Sequence, residues 1–103
     1  MKKRITWEEA TYGKKVHKIT VEFPVYYIDQ YGYVCYSKDG ITSVEIGLNG
    51  IQCNKENTHS IETHNYFSGE RYNKRKKDIP ITEYRKALND VNNYIKSLIN
   101  ETL

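Results

Sequence analysis

The chain reads as an α+β domain, an antiparallel three- to four-stranded β-meander whose apolar face is covered by a C-terminal amphipathic helix. Three observations predict it. Ile19, Val21, Phe23, Val25 and Tyr27 are apolar at every second position, the alternation of a strand with one buried face. Asp39-Gly40 and Asn49-Gly50, both strong hairpin signals, separate further short apolar runs. Tyr84, Ala87, Leu88, Val91, Tyr94, Ile95, Leu98 and Ile99 then recur at three- and four-residue spacing, which gathers them on one side of a helix.

At 103 residues a single domain, 1–103, is expected, near the size at which one core supports folding. Its parts are a basic N-terminal segment (1–14), the meander (15–54), a polar then basic loop (55–79) and the helix (80–101). In the first part, Ile5 to Tyr12 before Gly13 is compatible with a short helix or an edge strand. Pro24 cannot donate to a ladder, so the strand through it is expected at an edge or bulged. Asp29-Gln30-Tyr31-Gly32 reads as a turn in which Gly32 takes positive φ.

The following strand is expected from Tyr31 to Lys38. A two-residue loop at Asp39-Gly40 pairs Cys35 with Val44, Tyr33 with Ile46 and Tyr31 with Leu48. A second at Asn49-Gly50 pairs Leu48 with Ile51 and Ile46 with Cys53. Both registers place Tyr33, Cys35, Val44, Ile46, Leu48, Ile51 and Cys53 on one face under the helix. Thr20, Tyr26, Val34, Tyr36 and Ser43 are then left on the outer face. Within the polar loop, Ser60 to Phe67 is the one further strand suggested. Asp78 or Thr82 is placed to cap the helix, and Pro80 suits its first turn.

Composition narrows the functional classes. No apolar run approaches the roughly 18 residues of a membrane span. The basic start continues into Ile5-Thr6-Trp7-Glu8-Glu9 and not into an apolar stretch, so no signal peptide is expected. Cys35 and Cys53 make no disulfide framework; both are expected reduced, in the cytoplasm. Lys, Asn, Ile and Tyr form about two fifths of the chain, a composition common in small proteins of phages and mobile elements. The net charge of +3 is segregated. Cations concentrate in 1–18 and 69–77, whereas 19–53 is acidic through Glu22, Asp29, Asp39 and Glu45, so a polyanion is drawn to the flanks.

Catalytic constellations are not legible: there is no nucleophile elbow, phosphate-cradling loop or paired carboxylates with a cleft. A non-enzyme without a cofactor is expected. His59, Glu62 and His64, with His17 as a partner, include metal-ligating types, but they lack the paired spacing of zinc sites and are read as solvated, with no metal assigned. Tyr31-Gly32-Tyr33-Val34-Cys35-Tyr36 resembles part of the longer signature of RNA-recognition motifs, in which sheet aromatics stack on bases. It departs from that pattern at Asp29 and Gln30, where a basic residue and a glycine should stand, and the stretch upstream is too short. No family is assigned on it.

The function expected is a small non-enzymatic binding protein engaging nucleic acid or a nucleic-acid–protein complex. Lys2, Lys3, Arg4, Lys14 and Lys15 would act together with Arg71, Lys74, Arg75, Lys76 and Lys77. The alternative is an inhibitor of the phage or mobile-element kind, anti-CRISPR-like or antitoxin-like. It would block a protein partner through Tyr26, Val34 and Tyr36, drawing on a segment with five tyrosines between positions 26 and 36.

Overall fold

The computed structural model describes residues 1–9, 13, 15–47 and 59–102. It contains β1 (Lys2–Glu9), β2 (Lys15–Glu22), β3 (Val25–Ile28), β4 (Val34–Ser37), β5 (Ser43–Gly47) and β6 (Ser60–His64). These are followed by α1 (Gly69–Asn73), β7 (Lys77–Asp78) and α2 (Ile81–Thr102). β1 and β2 form a two-stranded antiparallel ribbon, and the other strands form a five-stranded sheet in the order β6-β5-β4-β3-β7. The expected α+β meander is present, as β3 to β6. The open choice for the N-terminal stretch resolves as a strand over its described part, Lys2–Glu9.

The alternating run from Ile19 to Tyr27 is not one strand. Pro24, without an N–H for a ladder, stands where the chain leaves β2 and enters β3 in the other sheet. The alternation survives the break because both halves pack on the same core. Val21, Phe23, Val25 and Tyr27 are buried together with Ile5, Cys35 and Tyr72.

The turn at Asp29 forms as expected: Gly32 has φ 90°, and its N–H donates to the Asp29 carbonyl at 3.1 Å. The turn after β4 does not. Asp39 Oδ1 accepts from the N–H groups of Ile41 (2.9 Å) and Thr42 (3.1 Å), while Ser37 Oγ donates to the Thr42 carbonyl at 2.6 Å. These bonds stabilise a wider loop over 38–42 in place of the two-residue hairpin. The pairs become Val34 with Ile46, Cys35 with Glu45 and Tyr36 with Val44. That one-residue slip sends every side chain of one strand to the opposite face. The expected pairs of Leu48, Ile51 and Cys53 lie outside the described residues.

The corrected register gives the sheet two apolar faces, where one was expected. Ile28, Val34 and Ile46 pack against Ile79, Tyr84, Ala87 and Val91 beneath α2. On the other face, Val25, Tyr27 and Cys35 pack against the ribbon and Tyr72 of α1. Each buried aliphatic or aromatic side chain contributes roughly 1.5–3 kcal/mol, so both clusters matter to the fold. Tyr26, Val34 and Tyr36, expected on an outer face, lie under α2. The Tyr26 and Tyr36 rings stack at 5.0 Å, and Tyr84 sits 5.4 and 5.2 Å from them.

Pro80 supplies the first helical acceptor of α2, its carbonyl taking Glu83 N–H at 3.1 Å. Neither Asp78, which is in β7, nor Thr82, which is inside the helix, stands at that position. Towards the C-terminus, Tyr94, Leu98 and Ile99 of the apolar stripe are exposed. In the stretch expected as loop, Ser68 caps α1 by accepting Arg71 N–H at 3.2 Å, and β7 pairs with β3. A Cβ on Gly69 would overlap Ile5 and Trp7, so glycine allows α1 to lie directly on the ribbon.

Candidate nucleic-acid interface and a buried polar cluster

In an antiparallel ribbon, side chains alternate between two faces, and the register fixes which residues share each. Ile5 opposite Ile19 and Trp7 opposite His17 face inward, where the Trp7 and His17 rings stack at 5.2 Å. The outward face pairs Lys2 with Glu22, Arg4 with Thr20, Thr6 with Lys18 and Glu8 with Val16, all exposed. Its carboxylates stand at the two ends. The middle, Arg4, Thr6, Lys18 and Thr20, carries two cations and two hydroxyls. Lys18 was absent from the expected site; only the register brings it beside Arg4.

The expected basic residues divide accordingly. Lys2 and Arg4 are on the outward face. Lys3 points inward and donates to the Asp39 carbonyl at 3.2 Å, tying β1 to the 38–42 loop. Lys15 is exposed at the far end opposite Glu9, and Lys14 lies outside the described residues.

The 71–77 run is not the open basic loop that was expected. Arg71 turns inward. Its Nη2 is 2.5 Å from Asp29 Oδ2 and its Nη1 2.5 Å from Glu45 Oε1. Arg75 pairs with Asp78 at 2.7 Å and lies 4.0 Å from the Tyr72 ring centroid. Lys74 pairs with Glu70 one turn back at 3.0 Å. Lys76 and Lys77 are exposed.

Arg71 is the centre of a polar cluster between sheet and α1. Asp29 is 1% exposed, and its Oδ1 also accepts from Tyr31 N–H (2.9 Å) and Tyr33 N–H (3.0 Å). Burial opposes the charge on Arg71, but Glu45 and Asp29 outweigh it and hold its pKa above the ordinary value. Burial, reinforced by the Asp29 and Glu45 charges, pushes the Cys35 thiol well up, and the same buried surroundings raise Tyr27. Asp29, Cys35, Ser43, Glu45, Ser68 and Arg71 line a cavity of about 10 Å³, room for roughly one water.

Of the histidines considered for a metal, His17 is held by Glu9 at 2.6 Å on the ribbon and His59 stacks on Tyr94 at 3.9 Å. Only His64 and Glu62 come together, and they meet Glu45.

Cys35 follows a clear expectation. Its protonated, buried thiol should react with an aromatic disulfide reagent only as fast as the domain opens, because the thiolate is the nucleophile. In a Cys53→Ser background, labelling at the rate of a free thiol would contradict the packing described here.

The fold and ribbon define a three-layer α+β protein, with helix, sheet and ribbon stacked in that order. No protein family matches the chain, and no curated protein or solved structure matches it either. Among the described residues, no helix is long and apolar enough to cross a membrane.

Proposed function

We propose that this chain is a non-enzymatic, cytoplasmic nucleic-acid-binding protein that lays its β1–β2 ribbon in the major groove of a duplex. The observation that carries the reading is the ribbon's outward face. Two strands of eight residues extend about 27 Å. They are hydrogen-bonded to each other and not to the main sheet, on which their inward face packs, while the outward face is exposed. A two-stranded ribbon fits the width of the major groove. Arg4 and Lys18 suit guanine edges or phosphates, and Thr6 and Thr20 can hydrogen-bond to either base edges or phosphates. Lys2 extends the cationic strip at one end; Lys76 and Lys77 are further exposed cations.

A protein-blocking role through Tyr26, Val34 and Tyr36 loses its surface, since those side chains are packed beneath α2.

The test is fluorescence anisotropy of labelled duplex against salt, for the wild type and a Lys2→Ser/Arg4→Ser/Lys18→Ser variant. Binding should fall by at least about tenfold in the variant, which corresponds to about 1.4 kcal/mol. The slope of log K against log salt should flatten by about 0.9 for each phosphate that is no longer neutralised. The melting temperature should hold, because the three side chains are exposed and away from the core. Absence of duplex binding at low salt, or an unchanged slope in the variant, would overturn the reading.

A further inference from the structure

We propose that Glu45, Glu62 and His64 form a binding site for a first-row divalent metal ion of the zinc type, separate from the ribbon. The sheet register assembles it. Glu45 lies directly opposite Glu62, and His64 is two pairs further along β6, two residues from Glu62 and so on the same face.

Donor spacing supports a metal more than a hydrogen bond. His64 Nε2 is 3.3 Å from Glu45 Oε2 and 3.7 Å from Glu62 Oε2. The three donor atoms all lie within 4.8 Å of one another. A tetrahedral ion with bonds of about 2.0–2.2 Å places its ligands roughly 3.3–3.6 Å apart. Neither carboxylate meets the nitrogen in hydrogen-bonding geometry. Among the described residues, His64 Nε2 is the one buried side-chain nitrogen or oxygen without a hydrogen-bond partner. A buried nitrogen left unpaired is costly, and it faces two carboxylates.

Charge points the same way. Among the described residues, Asp29, Glu45 and Glu62 bring three carboxylates together here, and the ion pairs that Asp29 and Glu45 make with a cationic side chain are both to Arg71. Directly opposed like charges also weaken a strand pair, which a divalent cation between Glu45 and Glu62 would reverse. Arg71 engages Glu45 Oε1 and leaves Oε2 directed at His64, the outer-shell orientation that metal-binding carboxylates commonly have. The overlapping cluster of Asp29, Cys35 and Glu45 is the weaker candidate, because Arg71 already pairs with both of its carboxylates.

An imidazole beside two carboxylates favours zinc-like ions over Mg²⁺ or Ca²⁺, which take oxygen ligands. Three protein ligands leave a fourth position for water.

The experiment uses the full chain after chelator treatment and dialysis. Zn²⁺ should bind saturably by calorimetry and raise the melting temperature, and Co²⁺ should give the visible absorption of a four-coordinate site. Glu62→Gln and His64→Ala should each weaken binding by at least about tenfold. His17→Ala and His59→Ala should bind as the wild type does. If either site variant fails to fold, the His64 ring resonances of the wild-type chain decide, since a ligand's resonances must move on Zn²⁺ addition. No saturable binding, binding that survives both site substitutions, or unmoved His64 resonances would overturn the proposal.

Discussion

Val91→Asp is expected to abolish cooperative folding. Val91 is fully buried in the cluster between α2 and the sheet. An aspartate there finds no cation among the side chains of that cluster, so it must be buried unpaired or force the helix off. Either outcome costs roughly 4 kcal/mol or more, against a total stability of about 5–15 kcal/mol for a domain. Thermal melts followed by Trp7 fluorescence, which reports the opposite cluster, should lose their transition together with the helical signal. The two faces fall together because β3 and β4 serve both: Tyr27 and Cys35 point one way, Ile28 and Val34 the other. Leu98→Asp, on the exposed end of α2, should remain within about 0.5 kcal/mol of the wild type. A Val91→Asp protein melting like the wild type would remove α2 from the core.

Arg71→Ala should be the most damaging change to a surface-accessible residue. It leaves Asp29 buried, with two backbone N–H groups but no cation, and removes the partner of Glu45. Breaking a buried pair from one side typically costs about 3–5 kcal/mol. Arg71 retains 30% side-chain exposure, so about 2–4 kcal/mol is the better figure, or roughly 10–20 °C in melting temperature. Arg71→Lys should rescue little, since one ammonium cannot reproduce a fork that reaches carboxylates on two different segments. Adding Asp29→Asn should recover part of the stability, and urea titrations of the cycle measure the coupling. An Arg71→Ala protein within about 0.5 kcal/mol of the wild type would return the residue to the exposed basic run expected from sequence.

Much of the secondary structure was legible because it depends on local spacing. Tyr84, Ala87 and Val91 repeat with the helical period whatever covers them, and Pro24 interrupts a ladder in any context. The cluster around Arg71 was not legible. Arg71 stands in a run of cations, and no local property separates it from Lys76. Its partners Asp29 and Glu45 are remote in sequence and meet it only when α1 docks on the sheet. Glu62 and His64 were visible as metal-ligating types, but the nearby histidine His59 belongs to α2's surroundings and the third donor comes from β5.

By itself the sequence determined the apolar strand segments around 19–27, 34–37 and 43–47 and the C-terminal helix, that the Asp29 turn needs Gly32, and that charge is concentrated in two segments. Period, backbone conformation and composition are properties of neighbouring residues. The tertiary structure alone decided the register after β4, and with it which side chains face α2. A side-chain-bonded loop over 38–42 and a two-residue hairpin differ by a few hydrogen bonds, and packing both faces of the sheet selects between them. It also decided which cations remain at the surface, because a charge turns inward only where the fold brings carboxylates to meet it.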